Sequence, residues 1–302
     1  MIPNALMVLN GKGGVLKTSL AANLAGQAAL AGWRTLAVDL DPQGNLARDL
    51  GYMDRSDGGR SLFAAAFAEA SLEPIREVRP GLDVIAGGPD TRRFMDQVSA
   101  DLYRRADLAS TTMRRLEEVL TPLAGGYNLI VLDLPPGDAM IQSVATVASH
   151  YILIPTTGDE ASNDGLGEVF SQFLQARAQD NPDLEILGVV ITLLPSRGRA
   201  MQRDIRDGLH QMLEGQVRVF DSTIRFAKAA ALDYRAKGLL AHEYETAAAQ
   251  ALPWYKARRR GVAVERFSSA SSGLAEDYQH LAQEVLGAFS ARQADHLDEV
   301  AP

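Results

Sequence analysis

The stretch Leu9-Asn10-Gly11-Lys12-Gly13-Gly14-Val15-Leu16-Lys17-Thr18-Ser19 constrains this chain more than any other. It follows a short apolar run, Ala5 to Leu9, that reads as a buried strand. It precedes Leu20 to Leu30, strong helix formers with Leu20, Leu24 and Leu30 on one broad face. Strand, glycine-rich loop, Lys-Thr and helix, in that order, are the parts of a phosphate-binding loop. Its backbone N–H groups and the helix N-terminus face phosphates, with a lysine as point charge and a hydroxyl as a Mg²⁺ ligand. Gly11, Lys12, Gly13, Gly14, Val15, Leu16, Lys17, Thr18 and Ser19 are therefore the expected nucleotide contacts. The general pattern places glycine where this chain has Leu16. Leucine suits a helix and the position adjoins the first helical turn, so Leu16 is expected to fit there.

Two further segments bring acids to strand ends. Thr35 to Asp39 reads as a second buried strand, and it runs into Asp39-Leu40-Asp41-Pro42-Gln43-Gly44-Asn45. Carboxylates at i and i+2 share a strand face, and Pro42 ends the strand beside them. Tyr127-Asn-Leu-Ile-Val-Leu-Asp133 describes a central parallel strand with Asp133 at its C-terminal edge, where open α/β sheets bind ligands. Three strand-end acids, a Lys-Thr phosphate loop and no nucleophile–base pair point to Mg²⁺-dependent phosphoryl transfer to water. Such catalysis works by positioning and charge neutralisation.

Lys-Gly-Gly-x-x-Lys-Thr, with its early Lys12, resembles the deviant Walker A motif of the ParA/MinD family of ATPases. Val38-Asp39-Leu40-Asp41-Pro42-Gln43-Gly44-Asn45 resembles that family's Walker A′ segment, and Leu129 to Pro136 its Walker B strand. The resemblance covers residues from about 4 to 240 and resumes at the last helix. It implies a P-loop, mostly parallel α/β sheet with helices on both faces, and an ATPase that uses ATP and Mg²⁺. It also implies catalytic roles for Lys12, Lys17 and Asp41, with Thr18, Asp39 and Asp133 serving the metal. Lys12 would reach the phosphates of a second copy, so that ATP is shared in a sandwich homodimer and hydrolysis, expected to be slow and partner-stimulated, releases it. Among subclasses, the absence of cysteine excludes the iron–sulfur relatives. The acidic residues 293–302 do not suit a membrane-binding basic helix. A ParA/Soj-type partition ATPase remains, binding DNA without sequence preference and partnered by a ParB-like centromere-binding protein. The alternatives are a ParA-like cargo-positioning ATPase acting through a protein complex, and a nucleotide-binding scaffold with little hydrolysis.

Charge distribution supports a search for DNA contacts in the C-terminal third. The chain carries −8 overall, yet residues 197–266 hold fourteen Lys/Arg against eight acids, a net +6. Val217 to Ala229 resembles a family segment whose basic residues bind DNA, which makes Arg225 and Lys228 candidates; surface or core-edge ion pairs are the alternative. Around residues 245–272 the chain departs from the family pattern with Pro253-Trp-Tyr-Lys256-Ala-Arg258-Arg259-Arg260. A phosphate-backbone contact through Arg258, Arg259 and Arg260 is one reading, and an exposed basic loop that packs its aromatic pair is the other. No apolar run approaches the length of a membrane span, and the start lacks signal-peptide features. A cytoplasmic, nucleoid-associated location is expected.

Elsewhere the patterns predict a single domain. Expected elements are a short helix from Ser61, a strand at Leu82–Ala86, one helix over Leu108–Leu120 and strands at His150–Pro155 and Ile186–Leu194. An amphipathic helix is expected over 199–214, with Met201, Ile205, Leu209, Met212 and Leu213 inward. A closing helix is expected over Leu274–Phe289, followed by a frayed acidic tail. Leu193, Leu194 and Pro195 either flank a base or belong to plain core strand.

Overall fold

The computed structural model describes residues 1–194, 199–251, 259, 267–268 and 273–300. Seven strands form one sheet in the order β3-β4-β2-β5-β1-β6-β7. They are β1 (Ile2–Val8), β2 (Thr35–Asp39), β3 (Ile75–Arg79), β4 (Leu82–Ile85), β5 (Leu129–Asp133), β6 (Ser149–Thr156) and β7 (Glu185–Ile191). All neighbours run parallel except β3, which lies antiparallel to β4 at the edge. β2, β5 and β6 are buried along their whole length, as expected of parallel strands covered on both faces.

β1 shows how the two cores are shared. Leu6 and Val8 face one cluster, Ala5, Met7 and Leu9 the other, following the alternation of a strand. The first cluster is covered by α1 (Lys17–Leu30), α10 (Lys228–Ala236), α11 (Ala241–Gln250) and α12 (Leu274–Val300). The second lies under α3 (Arg60–Phe67), α4 (Pro89–Arg104), α6 (Arg115–Ala124), α7 (Ala139–Ala148), α8 (Glu160–Gln179) and α9 (Arg199–Met212). Two further short helices are α2 (Asn45–Asp49) and α5 (Ala109–Met113).

The closing helix buries Leu274, Tyr278, Leu281, Val285 and Phe289 as its spacing predicts, but its backbone continues to Val300 where fraying was expected. Several expectations are corrected. Leu30 and Met212 are exposed, each as the last residue of its helix. The expected Leu108–Leu120 helix breaks at Arg114 into α5 and α6; Leu116 and Leu120 stay buried, whereas Leu108 is surface-facing. β3 and α4 are additions to the expected elements: Ile75-Arg-Glu-Val-Arg79 is an edge strand, exposed at Arg76 and Glu77, and α4 buries Phe94, Met95 and Val98.

Candidate functional site

Three central strands end on one line. Val8 of β1 pairs in register with Asp133 of β5, and Asp133 with Asp39 of β2. Parallel pairing thus sets two carboxylates beside the loop that leaves β1, at the carboxyl edge of the sheet. The loop is pinned at its root. Asn10, fully buried, donates from Nδ2 to the Pro155 carbonyl (2.7 Å) and accepts from the Lys12 N–H (2.8 Å). Farther on, the Thr192 hydroxyl donates to the Val15 carbonyl (3.2 Å). Neither Asn10 nor Thr192 stood out in the sequence; a lone amide at the end of an apolar run is the only trace Asn10 leaves.

Leu16 does not sit in helical conformation. It is the residue before α1, with φ 67° and ψ 24°, the left-handed region in which glycine is at ease. A leucine there costs about 1 kcal/mol of backbone strain. The expectation that helix compatibility lets Leu16 fit is therefore corrected. It fits by turning its side chain away from the loop, partly buried against the first core cluster.

Lys17 folds back beneath its own loop. Its Nζ donates to the carbonyls of Asn10 (2.9 Å) and Lys12 (2.7 Å) and is almost fully buried. Burial lowers its pKa to about 8, against the attraction of Asp133 and Asp41. Lys12 points elsewhere: its Nζ meets both oxygens of Asp159, at 2.8 and 3.0 Å, in the segment after β6.

Among the described residues, no salt bridge reaches Asp39, Asp41 or Asp133. Asp39, buried, accepts N–H groups of Asp41 (2.9 Å) and Leu46 (3.2 Å), and burial pushes its pKa up to about 7. Asp41 accepts from the Gln43 N–H (2.8 Å). Asp133 is fully buried, and neither of its carboxylate oxygens has a hydrogen-bond partner. Burial, then repulsion from Asp39, raises its pKa far above the carboxylate range, while the neighbouring Thr18 hydroxyl favours the ionised form. A buried acid left in this state is expensive. Two orphaned hard oxygens beside a hydroxyl and a second acid are a donor set that fits Mg²⁺. Among the described residues no cluster of three or more His, Cys, Asp or Glu could hold a metal on its own. That accords with Mg²⁺, which takes one or two carboxylates and completes its shell with water and phosphate.

Beside the loop lies a cavity of about 180 Å³, walled by Gly14, Leu16 and Ser19 on one side and by Leu193, Phe226 and Tyr234 on the other. A roomier one, about 620 Å³, opens near His150, Arg177 and Arg292 at the opposite end of the sheet; it touches none of the loop residues. The smaller cavity adjoins the loop itself, whereas Asp41, with Pro42 and Pro136, lines a separate opening beside it. Asp138, which had no predicted role, caps α7 by accepting from the Ile141 N–H (3.3 Å).

The predicted DNA contacts are not brought together in one way. Arg225 is committed to α12: its backbone N–H and Nε donate to Asp277 Oδ2 (3.0 and 2.6 Å), its Nη2 to Oδ1 (2.7 Å). That geometry is the ion-pair alternative left open by the sequence. Lys228 is exposed at the start of α10, and Arg259 is exposed as well. Arg258 and Arg260, with most of the 245–272 insertion, lie outside the described residues.

Fold and site together define a phosphate-loop nucleotide-binding protein. The AAA domain family matches residues 4–186. The chromosome partitioning protein ParA of Myxococcus xanthus is 30% identical over 206 residues, covering 67% of this chain and 69% of the relative. The chromosome-partitioning ATPase Soj of Thermus thermophilus is 30% identical over 214 residues, covering 70% and 75%. Similar solved structures include Cyanothece McdA in complex with ATP (TM-score 0.70, 18% identity, 94% and 96% covered). Another is the septum site-determining protein MinD of Pyrococcus horikoshii with Mg-ADP (0.64, 21%, 93% and 95%). The chain belongs to the AAA-domain family of ParA/Soj partition ATPases.

Proposed function

We propose that this chain is an ATP-driven partition switch. In this reading Mg²⁺-ATP binds the loop, two copies close into a sandwich dimer, and the dimer holds DNA without sequence preference. Hydrolysis is slow until a ParB-like centromere-binding partner stimulates it, and it then releases the DNA. The observation that carries the reading is Asp133: a buried carboxylate with two unpartnered oxygens, set in register beside Asp39 and next to Thr18 and Lys17. Thr18 and Lys17 offset only part of that desolvation in the free chain, and a metal–phosphate ligand would supply the rest.

The residues divide the work by position. Lys17, released from its own loop carbonyls, neutralises β- and γ-phosphate charge, and the N–H groups from Gly11 to Ser19 cradle the phosphates. Thr18, Asp39 and Asp133 hold Mg²⁺, directly or through water; when bound, the ion offsets the negative charge that develops in phosphoryl transfer. Asp41 orients the attacking water. Lys12 leaves Asp159 to reach the partner's phosphates; an exposed pair of this kind is worth under about 1 kcal/mol, so its loss is a small obstacle. No helix among the described residues is long and apolar enough to cross a membrane. Lys228 and Arg259 are the exposed candidates for phosphate-backbone contact, with Arg258 and Arg260 beside the latter; Arg225 would have to give up Asp277 to join them.

The test is binding to random-sequence duplex DNA with ATP, ADP or no nucleotide across a salt series. Tight binding only with ATP, weakening steeply with salt, is the expected result. ATP-dependent dimerisation without DNA binding in any state would replace this reading with cargo positioning through a protein partner.

A further inference from the structure

Asp49, at the end of α2, is a buried acid that the site above does not use. It accepts the hydroxyl of Ser19, next to Thr18 in the phosphate loop, at 2.9 Å. Its other oxygen accepts Nε of Arg235, in the last turn of α10, at 2.5 Å. One carboxylate therefore joins the loop helix, α2 and α10.

A second set of contacts joins the same two helices independently. Gly51, just past α2, and Gly238, just past α10, pack backbone to backbone. A Cβ on Gly51 would lie 2.7 Å from the Gly238 carbonyl oxygen, too close for any side chain. Arg79 of β3 donates from Nη1 to the Leu50 carbonyl (2.8 Å) and from Nη2 to the Gly238 carbonyl (3.0 Å), bridging both helix ends. At its other end α2 grows out of the acid turn: Leu46 N–H donates to Asp39, and the Asn45 amide to Asp41. The first residue of α10 is Lys228.

We propose that Asp49 and Arg235 are positioning residues that make α2 and α10 one body, so that nucleotide at Ser19, Asp39 and Asp41 sets the placement of Lys228. The inference rests on the nucleotide-switch reading and adds the route by which the nucleotide state reaches the DNA-facing helix. Acid turn and phosphate loop are the two inputs; they converge on one carboxylate that grips α10 near its carboxyl end through Arg235, and the output is Lys228 at its amino end. The segment leading into the amino end of that helix is tied to α12 through the Arg225–Asp277 pair.

The test uses the full chain and the double variant Asp49→Asn/Arg235→Gln, which removes both charges together and strands neither. Affinity for a fluorescent ATP analogue with Mg²⁺, hydrogen exchange across residues 228–236 and the ATP-to-ADP ratio of duplex-DNA affinity are measured side by side. The expected result is ATP affinity within about threefold of the parent, loss of the ATP-induced protection of α10, and a fall of about tenfold in the DNA ratio, the size of a typical coupling. Unchanged protection and an unchanged ratio at normal ATP affinity would overturn the inference. If the double variant does not fold, Arg235→Lys decides: the ratio falls severalfold at unaltered ATP affinity, or the inference is wrong. If the parent binds no DNA in any state, the switch reading fails at DNA, while α10 protection still decides whether the relay exists.

Discussion

The charges around the phosphate loop and those of the C-terminal third obey opposite rules. At the loop Asp133 and Lys17 are buried: Asp133 has no hydrogen-bond partner within reach of either oxygen, and Lys17 donates only to carbonyls of its own loop. In the C-terminal third three arginines of the described residues are less buried and paired: Arg225 with Asp277, Arg206 with Asp221, Arg235 with Asp49. The contrast teaches that stability is spent in the first region and made in the second. A buried charge without a partner needs a ligand to explain it, whereas a paired surface charge explains itself.

Removing a charge from each region should separate the two rules. Lys17→Ala is expected to lower ATP turnover by about 100-fold or more, since a preorganised charge at the transferring phosphoryl group is lost. Its melting temperature should not fall, because the variant discards a desolvated ammonium. A substantial drop in melting temperature with turnover intact would break the comparison.

His150 supplies an intermediate case at the far end of the sheet. It is buried, its Nδ1 has no partner, and it stacks on Tyr151 with His296 edge-on. Burial, then His296, lowers its pKa from 6.5 to about 4, while Asp183 and the Pro3 backbone oppose the shift. The neutral ring is the folded form, so its contribution is complete above pH 6.5. It is lost as pH falls from 6.5 towards 4, when only the unfolded chain takes up the proton. That loss amounts to at most about 3 kcal/mol. Denaturant titrations at pH 7 and pH 4.5 should show it, and His150→Phe should flatten the difference. An equal pH dependence in the variant would assign the effect to other groups.

The two basic candidates next to each other make a sharper pair. Arg225→Ala should cost about 1 kcal/mol of stability by freeing Asp277 and the chain leading into α10. Lys228→Ala should leave stability unchanged, weaken binding uniformly across DNA sequences and reduce the salt slope by about one. Reversed outcomes would exchange their roles.

Leu16→Gly carries the smallest expected effect. Relief of left-handed strain offsets lost side-chain contact and a looser unfolded chain, for a net change within about 1 kcal/mol. ATP binding should be at least as tight as in the parent and hydrolysis no slower. Loss of ATP binding, read with a fluorescent analogue, would show that the Leu16 side chain supports the nucleotide.

Much of the loop region was legible in the sequence because its demands are local. Lys17-Thr18 at a helix start, Asp39 and Asp41 two apart, and Asp133 at the end of an apolar run each follow from residue type and spacing. The conformation of Leu16 was not legible, since leucine usually signals helix and only the closed loop forces φ positive. The partners of Arg225 and Arg235 were not legible either. Asp277 and Asp49 lie 52 and 186 residues away, and no local pattern carries such pairings. Asp49 did leave a sign, an acid amid Leu46, Ala47 and Leu50, which a reading of helix faces alone passes over. Edge strand β3 offers only Ile75 and Val78 to an apolar pattern, whereas α4 carries Phe94, Met95, Val98 and Leu102 at helical spacing and was legible.

The most direct measurement is ATP turnover by the purified chain with and without Mg²⁺, beside Asp133→Asn. The expected result is turnover that requires Mg²⁺, falls by about 100-fold or more in the variant, and is accompanied by a melting temperature no lower than that of the parent. Metal-independent turnover, or full activity in Asp133→Asn, would contradict the assignment of this buried, unpartnered acid to the metal–nucleotide site.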